Sequence, residues 1–194
     1  VLVIVAFIAA PLAQVAHIGE LFLSTAMSLM FGCGAVVVAK RRRLGITTAI
    51  LAGVSIALEW AGSLSGSPAL RAAGALVGGV FASLLIALVL GRVFKEGPIN
   101  IHRVVGSIVV YLLIAFVFGE MASFISILDP EAYKTALGAP IGRSEVYYFS
   151  IVTLTTVGYG DVTAVHPLAR SMAGLEAVVG VLYPAILIAR LVSQ

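Results

Sequence analysis

The sequence predicts an all-α membrane protein: six transmembrane helices, with a short re-entrant helix and a non-helical segment between the fifth and the sixth. Three observations carry this. Of the 194 residues, 61% are hydrophobic and only 11% are charged, against about 25% charged in an ordinary soluble domain. The charges are clustered and leave six apolar runs of span length. Between the last two runs lies a polar, glycine-bearing stretch that holds a helix too short to cross a bilayer. A soluble domain of this length cannot bury so much apolar side chain, which excludes a soluble enzyme, a disordered tail and a nucleic-acid module. A net charge of +3 on so apolar a chain reads as membrane orientation rather than as affinity for nucleic acid. Cys33 is the sole cysteine, so no intrachain disulfide or cysteine zinc site is expected.

A span needs about 20 mostly apolar residues. Val1–Ile18 carries no Lys, Arg, Asp or Glu and lacks the basic start and the cleavage site of a signal peptide. Leu21–Ala39 is uncharged and stops at Lys40-Arg41-Arg42-Arg43. Leu44–Leu64 follows, with Glu59 and Trp60 near its far end, where both read as interfacial, Glu59 alternatively as a remnant acidic partner for basic side chains of the bundle. Ala72–Gly91 is uncharged and places Gly74, Gly78 and Ala82 at four-residue spacing, a small-residue stripe suited to close helix packing. Val104–Ile127 contains one charge, Glu120, and Pro167–Val192 carries Arg170 at its start, Glu176 inside and Arg190 near its end. With Lys40 to Arg43 on the cytoplasmic side, alternation places Arg92, Lys95, Arg103 and Arg190 there too. Arg71, Lys134, Arg143 and Arg170 then lie opposite, eight basic residues against four. That asymmetry obeys the positive-inside rule and puts both termini in the cytoplasm. The expectation is a multi-pass protein of the cell membrane, in contact with lipid and without a nucleic-acid partner. Residues 93–103 read as a cytoplasmic, interfacial linker.

Residues 128–143 are turn-prone, with Asp129-Pro130, Gly138, Pro140 and Gly142. Residues 144–155 read as the short helix, with Ser144 as N-cap and Glu145 in the first turn, where the helix dipole favours an acid. Next comes Thr153-Leu154-Thr155-Thr156-Val157-Gly158-Tyr159-Gly160-Asp161. Gly158 and Gly160 flank one aromatic, so every second residue can take backbone angles closed to other residues. Alternating such residues with ordinary ones turns successive carbonyls the same way. A ring of such strands can replace the water shell of a bare cation with oxygens. Non-helical backbone at membrane depth is tolerated only where it lines such a path or is buried in protein. The C-terminal, partly negative end of the short helix would favour a cation below it.

This stretch resembles the pore of the tetrameric potassium channels, whose signature T-x-x-T-x-G-Y-G is matched from Thr153 to Gly160 and followed by Asp161. The resemblance runs from Val104 to the end. It implies an outer helix, a re-entrant pore helix, a selectivity filter and an inner helix. Thr156, Val157, Gly158 and Tyr159 would coordinate potassium ions, the bound metal, with Gly160 at the outer mouth and no organic cofactor. One pore loop per chain implies a homotetramer around one filter. The family's Trp pair on the pore helix is replaced by Tyr148 and Phe149. A Tyr148 hydroxyl can take the first residue's role as donor to Asp161, whereas Phe149 can pack beside Tyr159 but cannot donate. A buried pore-helix Glu found in some bacterial members is Val152 here. Glu120 resembles a family Glu that braces the outer pore helix, with an interfacial Glu as the alternative. Gly180 falls at the inner-helix hinge position, and Pro184 four residues on predicts a bend. Close packing is the other reading of Gly180. Glu176 has no family counterpart. A carboxyl inside a span is a functional candidate, able to bond a pore-helix hydroxyl such as Thr153 or to give a pH dependence, the alternative being a protonated structural group.

Residues 1–92 then resemble a four-helix voltage-sensor bundle without its gating charges: Ala72–Gly91 has no Arg or Lys. One charge crossing the membrane yields only about 2.3 kcal/mol per 100 mV, so steep gating needs several. Weak or absent voltage dependence is expected. His17, His102 and His166 share no spacing and are not read as metal ligands. The function expected is passive, potassium-selective conduction and not catalysis. The alternatives are a nonselective cation channel and a potassium-transporter subunit or membrane sensor that reuses the pore pair.

Overall fold

The computed structural model describes residues 24–25, 28–32, 42–94, 100–139 and 141–192. Residues 24–25 and 28–32 are helical. Thereafter the elements run α1 (Arg42–Ser65), α2 (Pro68–Val93), α3 (Ile101–Leu128), β1 (Tyr133–Thr135), α4 (Arg143–Leu154), β2 (Val162–Ala164) and α5 (Pro167–Val192). Among the described residues four helices are long and apolar enough to cross a membrane: Gly45–Ser65, Pro68–Val93, Ile101–Leu128 and Pro167–Arg190. The shortest has 21 residues, which at about 1.5 Å per residue matches a hydrocarbon core of ~30 Å. These correspond to the third to sixth expected spans. The first expected span and most of the second lie outside the described residues, as do Lys40, Arg41, Lys95 and Pro140.

The chain divides into two units, Val1–Phe81 and Ala82–Gln194. In the first, α1 and α2 are joined by a short turn whose sequence explains it. Gly66 takes φ +66, the left-handed conformation that commonly ends a helix, and its N–H donates to the Gly62 carbonyl at 3.0 Å. Pro68 opens α2, where its missing N–H costs nothing. α2 therefore starts four residues before the expected Ala72, and Arg71 lies in its first turn rather than beyond it. The Arg71 Nε donates to the carbonyl of Gly62 at 3.3 Å, satisfying part of the end of α1. Glu59 is buried within the unit, at 4% exposure. Its Oε1 lies 3.1 Å from where a Cβ on Gly74 would stand, so one position of the small-residue stripe makes room for it. Trp60 Nε1 donates to Ser28 Oγ at 3.1 Å, Ser24 and Ser63 share a 3.0 Å hydrogen bond, and Phe31 meets Phe81 edge-on at 5.1 Å.

In the second unit, Ile86, Val89 and Leu90 of α2 pack on a buried cluster formed by Val110, Ile114 and Ala115 of α3 with Leu154 of α4. Asn100 caps α3, its side chain accepting from Arg103 N at 3.1 Å. Arg103 and the start of α3 thus belong to the helix rather than to a linker. Arg103 Nε donates to the carbonyl of Val93 at 2.9 Å. Arg190 of α5 donates to that of Phe94 at 3.3 Å and lies 5.9 Å over the Phe94 ring. Two guanidinium groups therefore sit at the partly negative end of α2.

One feature departs from an all-α fold. β1 and β2 pair antiparallel, with Tyr133 opposite Ala164 and Thr135 opposite Val162. The pairing is extended by Ala136 N to Asp161 O at 2.7 Å and by Val165 N and His166 N to Ala132 O at 2.8 and 3.2 Å. α4 begins one residue early, and Gly142, not Ser144, is its N-cap. The Glu145 carboxylate reaches back to accept the Gly142 N–H at 2.5 Å, so the expected dipole contact becomes a direct cap.

Gly66→Ala forces a Cβ into the left-handed region, at about 1–2 kcal/mol. It should lower the thermal unfolding midpoint of the detergent-solubilised protein, whereas Ser67→Ala should leave it nearly unchanged.

Candidate functional site

The segment after α4 has the alternation that its glycines permit. Positive φ recurs at Thr156 (60), Gly158 (50) and Gly160 (79). For the glycines this conformation is free of strain, but Thr156 is β-branched and takes it at a cost of about 1–3 kcal/mol. Such strain persists only where neighbours over-determine the backbone. Three N–H groups do so here. Thr156 N donates to Thr153 O at 3.0 Å, and Val157 N and Gly158 N both donate to Val152 O, at 2.9 and 3.1 Å. The Thr155 hydroxyl donates to Ile151 O at 2.7 Å. The N–H groups thus face the end of α4. Among the described residues, the carbonyls of Thr156, Val157, Gly158 and Tyr159 accept no hydrogen bond. Val157 is 50% and Tyr159 72% exposed in the single chain.

Just past this segment, the Tyr148 hydroxyl donates to Asp161 Oδ2 at 2.7 Å, and Oδ1 accepts Val162 N at 3.1 Å. That hydrogen bond, more than any burial, pushes the Tyr148 phenol up to about 12, so it remains a donor at ordinary pH. Phe149 is buried. Within the chain it packs edge-on against Tyr133 of β1 at 5.3 Å, rather than beside Tyr159. Together with Val146, Val162 and Ala169 they form the apolar cluster behind the segment.

Residues 104–194 match a family model described as an ion channel. Over that stretch the chain is similar to ion-channel domains, and the match takes in α4, the segment after it and most of both long helices beside them. No curated protein matches the chain, and no solved structure does.

The remaining site residues hold α4 in place. Glu120 of α3 is buried and its Oε1 accepts the Tyr147 hydroxyl of α4 at 3.0 Å, with Phe116 and Tyr147 stacked at 5.8 Å. This is a direct contact with the short helix. Glu176 of α5 bonds Ser150, one turn before the expected Thr153. Gly180 is a contact residue in this structure. An added Cβ would collide with the Leu154 carbonyl oxygen and lie 2.8 Å from its carbonyl carbon. Pro184 stands inside α5. Lacking an N–H, it leaves free the carbonyl of Gly180 four residues back, and its ring crowds the same group. The Leu154 carbonyl also accepts the Tyr111 hydroxyl at 3.2 Å, Tyr111 stacks on Tyr183 at 6.0 Å, and Tyr183 OH donates to Ser107 O at 2.9 Å.

Sequence reasoning passed over Ser150, Tyr147, Tyr111 and Tyr133. For Ser150, Tyr147 and Tyr111 the signal was a hydroxyl on a mostly apolar helix, since a buried hydroxyl needs a partner; Tyr133 lies in a polar turn-prone stretch and gave no such signal.

Gly180→Ala should destabilise the protein more than Gly66→Ala, because its Cβ meets backbone rather than a movable side chain, at about 1–3 kcal/mol or more. Thermal unfolding in detergent compares the two, and equal midpoints would refute the close contact. Tyr148→Phe should keep the fold and remove the Asp161 bond. The segment from Thr156 to Gly160 should then loosen, which faster amide hydrogen exchange at those residues would report.

Proposed function

We propose that the protein is a potassium-selective channel that conducts passively, with four chains around one filter in the cell membrane and both termini in the cytoplasm. The observation that carries the reading is positive φ at every second residue from Thr156 to Gly160, with the N–H groups of 156–158 bonded back to α4. Backbone of this kind presents a row of oxygens from Thr156, Val157, Gly158 and Tyr159, with Gly160 at the mouth. Among the described residues no three His, Cys, Asp or Glu side chains gather as a metal site. Neutral oxygens without carboxylates suit a monovalent ion that sheds water readily, where a divalent ion calls for charged ligands. One chain supplies one wall of such a path. The exposure of Val157 and Tyr159 fits walls that neighbouring copies complete. The two guanidinium groups at the end of α2, Arg103 and Arg190, lie on the side assigned to the cytoplasm. Residues 72–91 of α2 carry no basic side chain, which supports weak or absent voltage dependence.

Purified protein in liposomes, with potassium on one side and sodium on the other, should show a reversal potential near the potassium value; a reversal near zero would refute selectivity. Tyr159→Asp should degrade the ion preference without abolishing assembly, and an unchanged preference would remove the filter assignment. Conductance should vary little with voltage in the absence of blocking ions.

A further inference from the structure

Ser150 sits where three helices meet. Its hydroxyl oxygen lies 2.5 Å from the carbonyl oxygen of Ala115 on α3 and makes a short contact with Oε1 of Glu176 on α5. All three residues are sealed from solvent, with Ser150 at 0%, Ala115 at 6% and Glu176 at 3% exposure. A serine hydroxyl carries one proton and can accept as well as donate. The Ala115 carbonyl can only accept, and an ionised carboxylate can only accept. One proton cannot serve both contacts. If Glu176 were ionised, one of the two short oxygen–oxygen contacts would have no hydrogen in it, beside a buried charge. If Glu176 is protonated, both are hydrogen bonds: the carboxyl donates to Ser150 Oγ, and Ser150 donates to Ala115 O.

The surroundings agree. The elements packed on α5 offer Glu176 no cation. From β1 the titratable group that reaches it is the Tyr133 phenol, and β2 holds only Val162, Thr163 and Ala164. On α4, Tyr147 is engaged with Glu120 of α3, and Arg143 acts on Tyr147. Lys134 pairs with Glu131 at 2.7 Å. Among the described residues no Lys, Arg or His bonds Glu176. A buried carboxyl without a cation is retained at low cost only as the neutral acid.

We infer that Glu176 is a positioning residue for the filter: as a neutral acid it donates to Ser150 and holds α4 between α3 and α5. Two residues after Ser150, the Val152 carbonyl takes the N–H groups of Val157 and Gly158, so the hold on Ser150 is a hold on the filter backbone. The effect on conduction rests on the channel reading; the protonation does not. The conducting arrangement belongs to the protonated form. It is fully present at low pH and is lost as pH rises through the titration of Glu176.

The test uses the full chain in lipid bilayers. An infrared difference spectrum between wild type and Glu176→Gln near neutral pH should contain the carbonyl stretch of a protonated carboxylic acid, assigned to Glu176 because Glu120 is common to both. Absence of that band overturns the inference whether or not the protein conducts. Potassium efflux is then followed against pH. Wild-type flux should fall at alkaline pH. Glu176→Gln, whose amide can still donate to Ser150, should conduct within about twofold of wild type at neutral pH and lose the alkaline fall. Glu176→Ala should lower flux by roughly tenfold, the order of one buried hydrogen bond. An alkaline fall that persists unchanged in Glu176→Gln overturns the positioning role. Flux absent from every protein at every pH, with the infrared band present, overturns the channel reading and the positioning role and upholds the protonation.

Discussion

An extended backbone in an apolar environment must dispose of its N–H groups without giving up its carbonyls. That constraint organises the second unit. In a strand the two kinds of group are satisfied together by a neighbour, and in a helix by the helix itself. The stretch from Thr156 to Gly160 does neither. Its first N–H groups turn back onto the last carbonyls of α4, with Val152 O taking two of them. The conformation of the loop is then only as well defined as the end of one twelve-residue helix.

The rest of the unit can be understood as support for that end. Tyr111 bonds the Leu154 carbonyl, and Gly180 lets α5 approach the same residue more closely than any side chain would permit. Glu120 reaches Tyr147, and Glu176 reaches Ser150. The attachments come from both flanking helices and are distributed along α4 from its first turns to its last. This distribution explains how Thr156 is kept at a positive φ that a threonine does not choose. A single hydrogen bond, worth about 1 kcal/mol net, would not hold it.

What could be read in advance divides along physical lines. The span-length helices from Gly45 onward were legible because apolarity over some 20 residues is a property of the chain alone. The alternation after α4 was legible because glycine at 158 and 160 has few other uses. The Tyr148–Asp161 bond followed from a resemblance, not from spacing. Glu176 was recognised as unusual, but its partner was misplaced by one turn. Ser150 and Thr153 lie on one face of α4, and how far α5 slides along that face is set by packing at Gly180, which the sequence does not display. The start of α2 was set four residues late because the apolar pattern outweighed the Gly66–Pro68 punctuation. β1 and β2 were invisible: three residues each are too few to show a period of two, and their partners are far apart in the chain.

That sheet has a topological consequence. Tyr133–Thr135 and Val162–Ala164 close the chain on itself, so α4 and the segment after it form a noose with a hydrogen-bonded neck. The entropy of bringing its two ends together has already been spent at the neck. Motions of the enclosed residues are therefore those of a ring and not of a free loop. Slack introduced on one side of the neck must be taken up within the ring, and tension on the loop before β1 is delivered to the backbone just after Asp161 without passing through α4 at all.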